Sequence, residues 1–312
     1  MHDRQLLTER FRDRHVIDGG LATELEQRGH DITGTLWSGH IVLNDPRAIE
    51  QLHFDYLRAG ADIIISSSYQ LTFQGMIEAG YSAHEARRAL ELSVELALSA
   101  RQHWSENRPA DSRAESPLIA ASVGPYGAYR ADGSEYTGDY DLDTTELTAF
   151  HRERVALLVA SQADLLAFET VPAVSEAIAF TRLMREFGNP PAWISFSCRD
   201  GDHLSDGTGI SEAADAVLSA YPELVAVGVN CTAPGHVESV LDKLAASVSI
   251  PLIAYPNSGE GWDAKTRCWV GENDPVSYSE YAQRWLARGA TLIGGCCRTG
   301  PAHVRDLRAL LG

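Results

Sequence analysis

The sequence predicts one (β/α)8 barrel over residues 1–312, and three observations predict it. Eight short apolar runs, rich in β-branched residues, recur along the chain, each closing in small or polar residues and separated from the next by stretches with helical spacing. The runs are continuous, as suits parallel strands covered on both faces. No G-x-G-x-x-G follows the first run, which weakens the dinucleotide-binding form of the rival open sheet.

In chain order the runs are HVIDGG (15–20), ADIIISSSY (61–69), PLIAASVGP (117–125), ADLLAFET (163–170), PAWISFSC (191–198), LVAVGVNC (224–231), PLIAYPNSG (251–259) and ATLIGGCC (290–297). Amphipathic segments between them, such as SEAIAFTRLMREFG (175–188), HVESVLDKLAASV (236–248) and YSEYAQRWLARG (278–289), read as the crossover helices. Two connections exceed what a barrel needs: residues 30–45, and residues 126–146, dense in Tyr, Gly and Asp. Long aromatic loops tend to be functional. Neither a solenoid-period repeat nor a low-complexity tract marks a linker or a second domain.

The balance of 43 acidic against 26 basic residues, a formal charge of -17, repels phosphate backbones and anionic lipid, so neither nucleic acid nor membrane is expected as partner. The opening MHDRQLLTERFRDRHVID has no apolar stretch of signal-peptide length, and no later run approaches the ~20 residues that span a bilayer. The expected location is the cytoplasm. There, an odd count of five cysteines argues for reduced thiols acting as ligands, nucleophiles or core residues, and against a disulfide framework.

A barrel builds its site at the C-terminal ends of its strands, so the residues closing each run should converge. Cys231 closes the sixth run, and Cys296 and Cys297 close the eighth. Three thiolates at one mouth suit zinc, which takes sulfur ligands in a tetrahedron and, in catalytic sites, keeps one position open. The adjacent pair cannot readily join to each other, because neighbouring Cα atoms stand only ~3.8 Å apart. Taken singly, each cysteine also reads as a buried core residue, and Cys198 and Cys268 are assigned that role. Asp18 and Glu169 close the first and fourth runs, where carboxylates can hold an α-ammonium; Asp18 reads equally as a helix cap. A substrate carboxylate needs backbone N–H groups, which Gly19 and Gly20 or the helix start after them can supply. His15, His53, His151, His236 and His303 show no metal-ligand spacing and read as surface or core residues.

With IDGGLATELEQRG, SVGPYGAYRADGSEYTGDY, AFETVP, GVNCTAP, IAYPNSGEGWDA and IGGCCRTGPAHV assembled, the chain resembles the homocysteine S-methyltransferase family, zinc-thiolate barrels that methylate homocysteine to methionine. The resemblance implies one zinc ion per chain on Cys231, Cys296 and Cys297, with Asp18 and Glu169 on the substrate amino group. The stretch from Ser122 to Tyr140 and the YPNSGE run resemble the branch whose donor is S-methylmethionine. Thr170 follows Glu169 where some betaine-type relatives have tyrosine, which weakens betaine recognition. A cationic sulfonium methyl suits aromatic faces, which gives Tyr126, Tyr129, Tyr136 and Tyr140 a donor-lid role, with ordinary loop packing as the alternative. Alternative chemistries keep barrel and zinc but use betaine or S-adenosylmethionine as donor, or selenocysteine or selenohomocysteine as acceptor. A reading of another class makes the cysteines a metal or redox sensor without turnover. Oligomeric state is left open.

Overall fold

The computed structural model describes residues 4–108, 115–259, 261–263, 268–270 and 275–312. One parallel sheet contains β1 (His15–Val16), β2 (Ile63–Ile65), β3 (Leu118–Val123), β4 (Leu165–Val171), β5 (Ala192–Phe196), β6 (Ala226–Asn230) and β7 (Leu252–Tyr255). After a separate antiparallel ribbon of β8 (Gly261–Asp263) and β9 (Cys268–Val270), β10 (Ala290–Ile293) completes the sheet. Its order is β1-β10-β7-β6-β5-β4-β3-β2, and a parallel bridge between Ile17 and Ile63 joins the two ends. The barrel is closed there by Asp18 N–H donating to the Ile63 carbonyl at 3.0 Å and Asp62 N–H to the Val16 carbonyl at 2.7 Å. Each of the eight runs supplies one of these strands.

The amphipathic stretches form helices Val174–Glu186, Pro234–Ser247 and Pro275–Ala287. The first two bury one face against the outside of the sheet through residues such as Phe180, Leu183, Val240 and Leu244. The two long connections carry short helices, Ile41–Asn44 in one, and Tyr126–Arg130 with a 3-10 turn at Ser134–Tyr136 in the other. The second ends where Asp143 caps helix Thr144–Val159, its carboxylate accepting from the N–H groups of Thr145 (2.7 Å) and Glu146 (2.9 Å). Among the described residues no helix is long and apolar enough to cross a membrane.

Alternation along each strand sorts the core into two parts. Leu118, Ala120, Leu165, Ala167, Trp193, Ala226, Ile253 and Leu292 fill the barrel interior, while Ile119, Ala121, Leu166, Ile194, Val227 and Ala254 face the helices. The interior has a floor the sequence did not announce. Helix Arg4–Arg10 sends Leu7 and the following Phe11 into the base, where Phe11 lies with its ring centroid 6.5 Å from that of Trp193. Full burial of such a side chain stabilises by about 1.5–3 kcal/mol, so the polar amino terminus acts as a plug.

The same parity leaves Gly228 pointing inward from β6, directly against β7. A Cβ there would overlap the Ile253 carbonyl oxygen, which cannot swing aside without breaking the sheet. Gly228→Ala should therefore cost about 3 kcal/mol by overpacking. Urea unfolding reads it, and a midpoint matching the unsubstituted protein would show that the two strands can move apart.

Candidate active site at the barrel mouth

Parity also decides what reaches the mouth. Counting upward in steps of two from the inward-facing Ala120, Ala167, Trp193, Gly228 and Ile253 gives Ser122, Glu169, Ser195, Asn230 and Tyr255, a polar layer over five consecutive strands. All five are buried. Ser122 Oγ donates to Glu169 Oε1, and Tyr255 OH donates to Glu169 Oε2 at 3.2 Å. Tyr255 OH also meets Ser195 Oγ, whose single proton has Tyr255 OH and, at 2.9 Å, Asn230 Oδ1 as its two acceptors. Asn230 then clasps Thr170, accepting from its N–H at 2.6 Å and donating to its Oγ1 at 2.8 Å. Asn230 Nδ2 lies 3.9 Å from Cys296 Sγ, so one chain of hydrogen bonds ties Glu169 to the cysteines.

A cavity of about 100 Å³ opens above this layer, lined by Asp18, Gly19, Gly20, Glu169, Cys231, Cys296, Cys297 and Tyr136 of the sequence-predicted residues. Trp37, Tyr69, Glu135, Thr170, Asn230 and Tyr255 complete much of its wall. Trp37, Thr170 and Cys231 adopt left-handed backbone, with φ of 48°, 58° and 46°. Such conformations cost about 1–3 kcal/mol each in a non-glycine residue and gather at functional sites. At Cys231 the turn sets where the sulfur points.

The sulfur atoms of Cys231, Cys296 and Cys297 all lie within 4.8 Å of one another, a set able to hold a metal ion. The structure draws Cys231 and Cys296 together as a disulfide pair, with Cα atoms 5.6 Å apart, a pairing that the expectation of reduced thiols did not contain. Adjacency barred only the Cys296–Cys297 pairing; folding brings Cys231, 65 residues away, to bonding distance. Cys297 remains a thiol, its Sγ 3.9 Å from that of Cys231, its N–H donating to Asn257 Oδ1 and its sulfur hydrogen-bonded to the Tyr136 hydroxyl. Burial, with the negative charge of Glu135 and Glu169 nearby, pushes its pKa up to about 12. Cys198 is buried as expected; the side chain of Cys268 lies outside the described residues.

Asp18 does not cap the helix Leu21–Gln27, whose cap is Gly20. Its Oδ2 instead accepts from Ile65 N–H at 2.8 Å, holding the carboxylate in the mouth. Burial, and then the charge of Glu169, raise Asp18 well above the ordinary carboxylate range, while the Ile65 N–H opposes them. Glu169 is pushed up to about 7 by burial, against the hydrogen bonds of Ser122 and Tyr255. Two carboxyl groups held short of ionisation are prepared to ionise when a cation arrives. The Gly pair has a structural task as well. A Cβ on Gly20 would overlap the Cys296 carbonyl oxygen, and the Gly20 N–H donates to the Thr299 carbonyl at 2.8 Å. That N–H is thus already engaged in seating the turn that carries the adjacent cysteines and is not free for a substrate carboxylate.

Of the four tyrosines expected in a lid, only Tyr136 lines the cavity. Tyr126 and Tyr129 pack on Phe150 and Tyr140 packs on Tyr126, with the Tyr126 centroid 5.5 Å from Tyr129, 5.3 Å from Tyr140 and 4.9 Å from Phe150. The Tyr126 N–H donates at 2.6 Å to Glu176, itself paired with His151 at 2.7 Å. This is loop packing behind the wall. Sequence reasoning missed Ser195, Asn230 and Tyr255, which strand parity could have found, and Trp37, Tyr69 and Glu135, for which loops give no such signal.

Because the folded protein holds the Glu169 proton to about pH 7, against an ordinary 4.5, it binds more protons than the unfolded chain between those values, and stability falls as pH rises through that window. Glu169→Gln removes this loss. In metal-free protein the thermal midpoint of the variant should gain on that of the unsubstituted chain between pH 5 and pH 8; a constant gap would clear Glu169 as the source.

The family model described as homocysteine S-methyltransferase matches residues 15–311. Homocysteine S-methyltransferase YbgG of Bacillus subtilis is 47% identical over 297 residues, covering 94% of this chain and 93% of that protein. The homocysteine methyltransferase MmuM of Escherichia coli, in its oxidized form, superposes with a TM-score of 0.87 at 40% identity over 99% of both chains. Its metallated form gives 0.84 at 42% identity, over 95% of this chain and 96% of that one.

Proposed function

As the chain belongs to the homocysteine S-methyltransferase family, we propose that it moves a methyl group from a sulfonium donor, S-methylmethionine first, to the sulfur of L-homocysteine, giving methionine, with one zinc ion held by Cys231, Cys296 and Cys297. The observation that carries this reading is the meeting of those three sulfurs with two buried carboxyl groups, Asp18 and Glu169, in one cavity. A thiol amino acid needs both halves.

The donor set fits zinc. Zinc–sulfur bonds of about 2.3 Å in a tetrahedron give sulfur–sulfur edges of about 3.8 Å, and Cys231 and Cys297 stand 3.9 Å apart. Reduction of the Cys231–Cys296 disulfide is required before all three can serve as thiolates. Zinc supplies Lewis acidity, which lowers the pKa of a substrate thiol from its ordinary value of about 8.5.

The protein's own residues do the rest. Asp18 and Glu169 hold the homocysteine ammonium, each gaining charge as it binds, and Ser122 and Tyr255 fix the direction of Glu169. The Tyr136 hydroxyl steadies Cys297, and Asn230 fixes the left-handed turn at Thr170 beside the acceptor. Trp37 and Tyr69 wall the cavity and limit water. In the transfer, a lone pair on homocysteine sulfur forms the new S–CH3 bond. The donor's C–S bond breaks with its electron pair staying on the departing sulfur. That sulfur becomes a neutral thioether, and the proton of the homocysteine thiol leaves to solvent. Aligning two sulfurs about one methyl is the main catalytic task, since a sulfonium is already a good leaving group.

Protein purified under reducing conditions should contain about one zinc per chain by elemental analysis, and Cys296→Ser should lose zinc and methyl transfer together while keeping its circular dichroism. Full turnover by a zinc-free variant would sink the mechanism, and zinc binding without turnover of any donor would favour the sensor reading. Glu169→Gln should raise KM for homocysteine at least tenfold and leave KM for the donor within twofold. Equal rises for both would take Glu169 off the substrate ammonium.

A further inference from the structure

The reaction as described leaves Glu135 without a task, although it lies in the mouth. It belongs to the 3-10 turn Ser134–Tyr136, and its backbone is anchored to the end of β5, where Ser197 Oγ donates to the Glu135 carbonyl at 3.1 Å. Its side-chain Oε2 is buried with no hydrogen-bond partner. Burial pushes the carboxyl up to about 7, while the N–H groups of Glu135 itself and Gly133 pull it down. A buried carboxylate oxygen without a partner costs free energy, and a structure that fixes its backbone keeps that cost in place.

Glu135 also lies on a boundary. The cavity above the cysteines adjoins a second, which reaches from the barrel mouth toward Ile32, Thr35, Gln70 and Ala128. Trp37, Glu135 and Tyr136 line both, so an indole, a phenol and a carboxylate form the partition between them. Among the described residues lining the two cavities, none is Lys or Arg. The first cavity already has two carboxyl groups for one ammonium. The third carboxylate of that cavity, Glu135, has no cation assigned to it.

We propose that Glu135, which lines the partition with Trp37 and Tyr136, is the counter-charge for the methyl donor's sulfonium and selects cationic donors. This rests on the reading that the donor is a sulfonium, and deepens it. A sulfonium carries no N–H to donate, so its recognition depends on fixed negative charge and aromatic faces, which this partition combines. A donor bearing a carboxylate close to its cationic centre, such as betaine, brings that carboxylate into repulsion with Glu135.

Donor binding is measured by calorimetry on the zinc-loaded full chain without homocysteine, so that no transfer occurs. The probes are S-methylmethionine and 2-amino-5-methylhexanoate, its uncharged carbon isostere. Glu135→Gln should weaken S-methylmethionine at least tenfold, leave the isostere unchanged, and raise KM for the donor while KM for homocysteine stays within twofold. Glu135→Asp should fall between. Equal S-methylmethionine affinity in the folded Gln variant and the unsubstituted chain overturns the assignment of Glu135 and leaves the sulfonium reaction standing. If the unsubstituted chain binds S-methylmethionine no better than the isostere and does not turn it over, the sulfonium reading falls and the assignment falls with it.

Discussion

A closed barrel must send every second side chain of each strand into its interior, and the rest of this structure follows from how that constraint is met at its two ends. At the base, the inward positions are Leu118, Leu165, Trp193, Ala226 and Leu292, sealed by Leu7 and Phe11. At the mouth, the same parity delivers Ser122, Glu169, Ser195, Asn230 and Tyr255, residues that cannot be buried without partners. They satisfy one another across five strands, and the chain of hydrogen bonds fixes Glu169 at one end and comes near Cys296 at the other. The apolar base supplies the stability against which this polar layer is held.

The mouth keeps several features that folding alone would not favour. Asp18, Glu169 and Glu135 are carboxyl groups whose ionisation burial opposes. Trp37, Thr170 and Cys231 sit in left-handed backbone. Each carries a cost that folding alone does not recover. In the proposed reaction, ammonium and sulfonium charges let the carboxylates ionise, and a metal ion gives a use to sulfurs gathered within 4.8 Å of one another. The disulfide between Cys231 and Cys296 is another outcome of that closeness, and it excludes a metal on the same two sulfur atoms while it lasts.

What was legible in the sequence was what one-dimensional patterns record. The eight strands were readable because apolar β-branched runs such as ADIIISSSY and PLIAASVGP stand out from their surroundings, and the cysteines because adjacent Cys296 and Cys297 closed one such run. The same rule of strand ends singled out Asp18 and Glu169, both of which line the cavity. Phe11 was hidden because the amino-terminal segment is polar on average, although Leu7 and Phe11 are spaced i, i+4. The disulfide was hidden because pairing depends on three-dimensional distance, and the reasoning from adjacency concerned a different pair. Trp37 and Glu135 were hidden because no periodicity governs which loop residue folds over a barrel, and the four tyrosines were distributed between wall and packing for the same reason.

The charge of the chain, first used to set nucleic acid aside, takes a second meaning at the mouth. A surplus of 17 negative charges, the difference between 43 and 26, makes the surroundings favourable to cations. Homocysteine at neutral pH is a zwitterion with no net charge and gains little from that field, whereas a sulfonium amino acid carries one net positive charge and gains from it at every distance within a Debye length of about 8–10 Å. On the proposed assignment the long-range field and the local partition act on the same substrate. The field raises the local concentration of cations without distinguishing among them, and the proposal leaves the distinction to short-range contacts: Asp18 and Glu169, which can accept hydrogen bonds from an ammonium, and Glu135, which shares its cavity walls with Trp37 and Tyr136 and suits a cation that has none to give. Under the proposed assignment, two cationic centres that differ in whether they can donate hydrogen bonds are told apart by carboxylates that differ in their origin, the first pair at strand ends and the third in a loop.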